Sequence, residues 1–293
     1  MRQARAFTLV ELLVVVGIIG LLAAILVPTL QQAQELTNRT VCMSNLRGIN
    51  SAAMLYRSAN DDIWPWMYSK NKGWDETGTP VGKNRNLDPN TTLERSVTAL
   101  VFMLVRQDQP AGMFRCPSDK DSVVDDNTKA KENDSFIKER EYYLDFSKPE
   151  NISYSYQAPL TVANGFANGV SNSNTEMVVF ADMTPTYGTV KWDVKDMSTE
   201  LSQTDIETQL SNNHKGKQVN ILRVAGNVAA VKRPDVGLYQ DNIYTAFGTT
   251  ITSGGPRKAK DITLKNHLNS ADTFLIGPRG RTEGTDANST QGE

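Results

Sequence analysis

The chain has 293 residues, enough for one or two domains, and its 31 basic and 33 acidic side chains give a net charge of −2. This balance excludes a global electrostatic field that would favour nucleic acid or an acidic surface. Two cysteines allow at most one internal disulfide, and two histidines leave little material for a histidine-based metal site.

An apolar run follows a short basic segment at the N-terminus. No residue from Leu12 to Gln34 carries a charge, and the stretch from Leu12 to Leu30 comes close to the about 20 residues that span a bilayer. Arg2 and Arg5 precede it, and basic flanks of this kind stay in the cytoplasm. The pattern predicts a membrane-spanning helix. A conventional secretory signal, cleaved among small residues near Ala24, is the alternative.

Glu11 is an acidic residue at the start of this run. Inserting a carboxylate into the hydrocarbon costs roughly 2.5–3.5 kcal/mol, so such a group usually has a partner or a function. The alternative is a charge at the membrane edge that reaches back to water. Glu11 is therefore a candidate for charge pairing.

The sequence from Phe7 to Leu13, Phe-Thr-Leu-Val-Glu-Leu-Leu, closely resembles the cleavage and methylation signal of type IV prepilins and type II secretion pseudopilins. The resemblance implies that a prepilin peptidase cuts between Ala6 and Phe7, removing residues 1–6, and that Phe7 is then N-methylated. The family usually has glycine before the cut, so Ala6 implies slower processing. The resemblance also implies that Glu11 pairs with the N-terminal amine of a neighbouring subunit in a filament.

Pro28 matches a second feature of that family, a proline that bends or locally melts the N-terminal helix. Proline removes a backbone hydrogen bond and clashes with the preceding turn. A mark of the membrane exit is the alternative. Gly17, Gly20 and Ala24 are small residues at spacings of three and four, which permit close helix packing. We therefore expect residues 7–30 to lie in a membrane or a filament core.

Beyond the apolar run the sequence turns polar but keeps a helical period. Glu35 and Arg39 lie off the predicted apolar stripe. The pattern predicts one helix from near Phe7 to near Ser58, about 75 Å long, whose amphipathic half (residues 31–58) packs on a head domain. The stripe recurs at spacings of four, three, four and three, and consists of Cys42, Leu46, Ile49, Ala53 and Tyr56.

A Cys-x-x-Asn-Leu element at Cys42 and a Cys-Pro-x-Asp element at Cys116 resemble paired elements of pseudopilin-like proteins of planctomycetes and their relatives. An exported head lies in an oxidising space where disulfides persist. The resemblance implies a Cys42–Cys116 bridge, and two buried free thiols are the alternative. A further element of these relatives, a His before a strand pair with an Asp and a second His, keeps His214 here. Ala225 and Asn227 replace the other two, so a metal or catalytic role for that element has no support.

Residues 60–173 read as loops with short elements, among them a short helix at Val97–Val105. Trp64, Trp66 and Tyr68 form an aromatic cluster that either binds a sugar or protein or covers a small core. An acidic group suggests a calcium loop, but its spacing matches no EF-hand and favours a solvated loop. That group consists of Asp119, Asp121, Asp125 and Asp126.

The last part of the chain is predicted to form a sheet. The dipeptide Gly226-Asn227 predicts a tight turn between two of its strands, and residues 277–293 have the composition of a disordered tail. The predicted strands are Met177–Ala181, Val219–Val224 and Val228–Lys232.

No P-loop, dinucleotide-binding glycine pattern, Gly-x-Ser-x-Gly elbow or His-Glu-x-x-His helix is present, and no Cys pair has zinc-site spacing. We interpret the chain as a non-enzymatic, pilin-like α+β protein. A long N-terminal helix packs on an antiparallel sheet head of residues 59–276. We expect no metal and no cofactor, with calcium in the head as the one open candidate.

The resemblance implies a single-pass inner-membrane protein with a cytoplasmic N-terminus and a periplasmic head, later part of a filament in the periplasm or at the cell surface. Its implied partners are the prepilin peptidase, other pilin or pseudopilin subunits and an inner-membrane assembly platform. Pilus and secretion pseudopilus remain equal candidates. One alternative is a minor tip subunit or anchored module that recognises a secreted substrate or glycan. Another is an exported enzyme that uses the helix only as an anchor.

Overall fold

A single helix organises the N-terminal part of the chain. Helix α1 (Leu9–Ala59) has 51 residues and runs without interruption, close to the predicted bounds. The computed structural model describes residues 8–65, 97–105, 107, 109–123, 146, 148–157, 160–162, 165–167, 169–183, 206, 210–238, 243–244, 273 and 275–276.

The two halves of α1 lie in different surroundings. Every side chain from residue 9 to residue 30 is exposed, whereas the second half packs on the head. The predicted apolar stripe is confirmed, because all five of its members are buried and Ala52 joins them. The attachment of α1 to the head therefore uses only the amphipathic half of the helix.

The head is built on a five-stranded antiparallel sheet, as predicted for an α+β fold. A separate hairpin joins β2 (Leu160–Val162) to β3 (Gly165–Ala167). The sheet has the order β6-β5-β4-β1-β7 and consists of β6 (Val228–Val231), β5 (Val219–Arg223), β4 (Val178–Asp182), β1 (Tyr154–Gln157) and β7 (Leu275–Ile276).

The three predicted strands and the short helix α2 (Val97–Val105) are confirmed. Strand β1 is one of the short elements expected among the loops of residues 60–173, but it was not identified as a strand. Its sequence, Tyr-Ser-Tyr-Gln, is half polar, yet all four side chains are buried between β4 and β7. Strand β7 was missed as well, since two residues carry no periodic signal.

The sheet is buried on both faces. One core is shared by α1, α2 and the sheet, and it includes Leu46, Phe180 and Leu222. A second core includes Ala181 and Ile221, the direct sequence neighbours of those two strand residues. Side chains alternate between the faces of a strand, so the two cores lie on opposite sides of the sheet. This explains why β4 is apolar from Val178 to Ala181.

A tight turn joins β5 to β6 as predicted, but its hydrogen bond runs from the N–H of Gly226 to the carbonyl of Arg223 at 2.8 Å, so the dipeptide Gly226-Asn227 lies at the end of the turn and not at its centre. Gly226 has φ of +84°, in the left-handed region that favours glycine. A Cβ atom there would lie 3.0 Å from the side-chain nitrogen of Asn50 on α1. Glycine is therefore required both by the turn and by the close approach of the turn to α1.

Of the three residues in the predicted aromatic cluster, the structure describes Trp64. Trp64 is fully buried, and the guanidinium carbon of Arg57 lies 5.1 Å from the centroid of its ring. Trp64 therefore covers the core beside α1, and the binding-surface alternative is wrong for this residue. Trp66, Tyr68 and the predicted tail at 277–293 lie outside the described residues.

A buried leucine and an exposed leucine on α1 provide a matched test of how this helix attaches to the head. We expect Leu46→Ala, at a fully buried position, to lower the free energy of unfolding of the head by about 2–5 kcal/mol because it leaves a cavity. Leu55→Ala, at a position that is 60% exposed, should change it by less than about 0.5 kcal/mol. Denaturant unfolding of the detergent-solubilised chain, followed by near-ultraviolet circular dichroism, measures both. Equal effects would contradict the packing of the stripe.

Candidate assembly helix and polar cluster

The first half of α1 presents apolar side chains on all sides. Among the described residues, α1 is the one helix that is long and apolar enough to cross a membrane. A Cβ atom built on Gly17 or Gly20 meets no other atom of the chain within 4 Å. None of the described residues therefore covers this surface, and its small residues leave open space beside the helix.

Glu11 and Thr8 form a reciprocal capping box at the start of α1. The backbone N–H and the hydroxyl of Thr8 donate to Glu11 Oε2 at 2.9 and 2.8 Å, and the Glu11 N–H donates to Thr8 Oγ1 at 3.3 Å. The arrangement satisfies donors that the first helical turn leaves free. Glu11 thus has an intramolecular role, as helix cap, that the sequence interpretation did not include.

Pro28 lies inside α1, and the helix continues on both sides of it. The Thr29 hydroxyl donates to the carbonyl of Leu26 at 2.8 Å, one turn back along the helix. Bending at Pro28 stays a prediction. Ala6 and Phe7, the predicted cleavage and methylation residues, lie outside the described residues.

Cys42 and Cys116 are joined by a disulfide, with their Cα atoms 5.4 Å apart. The bridge ties the middle of α1 to a loop that is 74 residues away in the sequence. The Asn45 amide, one turn further along α1, donates to the carbonyl of Arg115 at 2.8 Å. The Cys-x-x-Asn element therefore holds one loop at two neighbouring points, by a covalent bond and by a hydrogen bond.

A buried polar cluster surrounds His214, next to the disulfide. Nδ1 of His214 lies 2.9 Å from Glu35 Oε1, and Nε2 lies 3.0 Å from the side-chain nitrogen of Asn220. The carboxylate of Glu35 can only accept, so Nδ1 carries the proton and Nε2 accepts from the Asn220 amide. Sγ of Cys116 and Oδ2 of Asp182 lie 3.7 and 3.5 Å from the same Nε2 atom.

Glu35 connects α1 to this cluster. Burial alone would raise the pKa of its carboxyl, but hydrogen bonds from His214, Ser118 and Arg39 outweigh burial and lower the pKa below 4.5. Burial lowers the pKa of His214, against the opposing effect of the Glu35 hydrogen bond. At neutral pH the pair is therefore a neutral imidazole that donates to a carboxylate.

Asp182, at the end of β4, is fully buried. Its Oδ2 accepts from the backbone N–H of Asn220 at 2.7 Å, while its Oδ1 has no hydrogen-bond partner among the described residues. Burial raises the pKa of this carboxyl to about 8, although the hydrogen bonds from Asn220 act in the opposite direction. At neutral pH Asp182 is mainly a neutral acid.

Residues 1–27 match the family model described as the prokaryotic N-terminal methylation motif. This chain has a prepilin-type N-terminus. The match spans the basic segment and most of the exposed half of α1, so the prepilin-type N-terminus coincides with the part of the helix that the head leaves uncovered.

Two curated proteins are similar to part of this chain. The type IV wide pilus major component PilA4 of Thermus thermophilus is 41% identical over 61 residues, which are 21% of this chain and 47% of that protein. The type II secretion system core protein G of Pseudomonas aeruginosa is 35% identical over 92 residues, 30% of this chain and 62% of that protein. This chain thus covers less than two thirds of either relative. No solved structure matches it significantly.

Several polar residues of α1 and of the head have roles that sequence reasoning missed. Glu35 was placed off the apolar stripe of the prepilin-type helix, yet its side chain is only 13% exposed and contacts the head. Asp119 was assigned to a solvated acidic loop, which is wrong, because it is buried and its Oδ2 accepts from Ser153 Oγ at 2.6 Å. Asp125 and Asp126, the other half of that candidate calcium group, lie outside the described residues.

The buried acid predicts a pH dependence in the oxidised protein. Between pH 3.8 and about 8 folded Asp182 keeps a proton that the unfolded chain loses, so its contribution to stability falls as pH rises. Relative to Asp182→Asn, wild-type protein should lose about 1.4 kcal/mol of unfolding free energy per pH unit in this window.

Denaturant unfolding from pH 5 to pH 8 measures this slope. Asp235→Asn is the control, because Asp235 pairs with Arg233 and lies outside the cluster, and it should behave as wild type. If Asp182→Asn keeps the wild-type slope, the assignment of a protonated Asp182 is wrong.

Proposed function

We propose that this chain is a structural subunit of a type IV pilus-like or type II secretion filament, assembled through the first half of α1. The observation that carries the proposal is the uncovered apolar surface of residues 9–30 on a helix that begins with a prepilin-type motif. A contiguous apolar surface of this size is not stable in water and needs either a membrane or other chains around it.

In this proposal the apolar surface lies first in the inner membrane and then in a bundle of helices. In the inner membrane, the apolar half of α1 spans the bilayer, with the basic N-terminus in the cytoplasm and the head in the periplasm. A prepilin peptidase then cuts between Ala6 and Phe7, and Phe7 is methylated. The same half of α1 next enters a bundle formed by the helices of other subunits, with the help of an inner-membrane assembly platform.

The open space beside Gly17 and Gly20 supports the bundle. Small residues let helix backbones approach closely, which increases van der Waals contact where lipid and side chains are equally apolar. The disulfide and the Glu35–His214 contact lie beyond this segment, so they hold the head on α1 without occupying the bundle surface. The role is structural rather than catalytic, in agreement with the names of the two relatives, a pilus component and a secretion core protein.

Glu11 has two tasks in this proposal. In the membrane it caps its own helix through Thr8, which keeps its carboxylate hydrogen-bonded. In the filament it pairs with the N-terminal amine of a neighbouring Phe7, which removes two otherwise costly charges from an apolar environment. Conservative substitutions can separate the two tasks, because capping needs a hydrogen-bonding side chain and pairing needs a charge.

Processing is tested by co-expression with a prepilin peptidase. Intact-mass and N-terminal peptide spectrometry should find a chain that lacks residues 1–6 and begins with N-methylated Phe7. Ala6→Gly should be processed faster than wild type, since the family pattern has glycine at this position. A retained Met1, or a cut near Ala24, would show that the segment is an anchor or a conventional signal instead.

Assembly is tested with a pair of variants of the capping box. Glu11→Gln keeps a side chain that can cap the helix but removes the charge, and Thr8→Val removes the hydroxyl cap but keeps the charge. An unpaired charge in an apolar bundle costs about 3–5 kcal/mol, so we expect Glu11→Gln to reduce filament yield more than tenfold.

Thr8→Val should affect filament yield far less than Glu11→Gln, because its loss is about 1 kcal/mol of capping. Filament yield is measured by shearing and sedimentation, and the folding of the head by near-ultraviolet circular dichroism. Both variants should keep a folded head, since Thr8 and Glu11 lie far from it along α1. Wild-type assembly by Glu11→Gln would refute the charge-pairing proposal.

A further inference from the structure

We propose that the polar cluster, when its disulfide is reduced, binds one zinc ion. The ligands are the thiolates of Cys42 and Cys116, Nε2 of His214 and a carboxylate oxygen of Asp182. One ligand atom from each of these four buried residues lies within 4.8 Å of the others. Two thiolates, an imidazole and a carboxylate are all established zinc ligands. The proposal concerns the head and is independent of filament assembly.

Two distances within the cluster fit a tetrahedral ion. Zinc–ligand distances of about 2.0–2.3 Å at tetrahedral angles place the ligand atoms about 3.3–3.8 Å from one another. Nε2 of His214 lies 3.7 Å from Sγ of Cys116 and 3.5 Å from Oδ2 of Asp182, both within that range. The two sulfur atoms are bonded to each other in the oxidised form, and reduction of the disulfide lets them separate. The four ligand atoms, which lie within 4.8 Å of one another, would then adjust to the distances that the ion requires.

The surroundings of the cluster orient the ligands in advance. The carboxylate of Glu35 accepts from Nδ1–H of His214, which directs the lone pair of Nε2 towards the cysteines. A carboxylate behind a histidine is the arrangement that typically supports a zinc ligand. Glu35 is itself held by Ser118 and Arg39. Oδ1 of Asp182 is buried without a hydrogen-bond partner among the described residues, as expected for an oxygen that a metal could satisfy.

One contact competes with the ion. The Asn220 side-chain nitrogen lies 3.0 Å from Nε2 of His214 and donates to it in the oxidised form. Zinc binding must rotate this amide away, whereas the backbone N–H of Asn220 can still donate to Oδ2 of Asp182. The competing hydrogen bond is weaker than a zinc–nitrogen bond, so it reduces the affinity without preventing binding.

The disulfide and the zinc site exclude each other. A dithiol reductant gives two electrons and two protons to the Cys42–Cys116 bond and becomes a disulfide itself. The two thiols then release two protons as they bind Zn²⁺ as thiolates, and the carboxyl of Asp182 releases a third as it binds the ion as a carboxylate. The ion would connect α1 through Cys42 to the loop of Cys116, the end of β4 at Asp182 and the turn that carries His214. Zinc would thus replace the covalent link between α1 and the head in chains that are not oxidised.

The test uses the full chain in detergent, reduced anaerobically with a phosphine and titrated with Co²⁺ as a spectroscopic substitute for zinc. We expect one equivalent of Co²⁺ to produce a thiolate-to-cobalt charge-transfer band and the visible bands of a tetrahedral ion, both removed by added Zn²⁺. Zn²⁺ should raise the thermal midpoint of the reduced head. The oxidised chain should show neither the bands nor the shift in midpoint.

Two conservative variants distinguish the four-ligand site from a pair of thiols alone. Asp182→Asn and His214→Gln should each weaken Co²⁺ binding at least about tenfold, the loss typical for a perturbed site. Asp235→Asn, outside the cluster, should bind as wild type. Circular dichroism identifies the samples that retain a folded head.

Three results would overturn the proposal. The first is a reduced, folded wild-type chain that gives no charge-transfer band with Co²⁺. The second is wild-type affinity in both folded ligand variants, which would mean that the thiols bind the ion without His214 and Asp182. The third is a reduced head that unfolds and that Zn²⁺ does not refold. Refolding on addition of Zn²⁺ would support the site, since metal binding then contributes the folding free energy.

Discussion

The attachment of one half of α1 to the head is the constraint on which the rest of the structure depends. A continuous helix of 51 residues has one half whose side chains are all exposed and one half with a buried stripe. The disulfide at Cys42, the Asn45 hydrogen bond to Arg115 and the Glu35 contact with His214 all act on the second half. The head is thereby fixed to α1 while the first half stays uncovered for a membrane or for other helices.

The polar cluster follows from the same attachment. Arg39 on α1 donates to Gln218 just before β5, and near this point a helix carboxylate, Glu35, and a strand carboxylate, Asp182, lie on opposite sides of one imidazole. Burial affects them differently. Glu35 keeps its charge because three side chains donate to it, whereas Asp182, with fewer donors, is better accommodated as a neutral acid. Buried polar side chains next to an apolar core need hydrogen-bond partners, and here several elements of the fold supply them.

How far sequence could predict the fold depended on periodicity. The stripe from Cys42 to Tyr56 repeats with the helical period, and it identified both the helix and its buried face. Strands β4, β5 and β6 were found because they are apolar or are joined by a turn dipeptide. Strand β1 was not found, because its serine and glutamine interrupt any apolar pattern in the sequence. They are buried only because neighbouring strands cover them. Asp119 was misjudged for a similar reason, since its hydrogen-bond partner, Ser153, is distant in the sequence.

The sequence by itself determined the elements that depend on neighbouring residues. These are the prepilin-type motif, the apolar run, the amphipathic stripe and the Gly226 turn, whose physical causes are side-chain spacing and local backbone freedom. Only the tertiary structure decided which polar residues meet. Cys42, Cys116, Asp182 and His214 have no informative spacing along the chain, and four different parts of the fold bring them within 4.8 Å. Long-range packing of α1 on the sheet creates that cluster, and no local pattern encodes it.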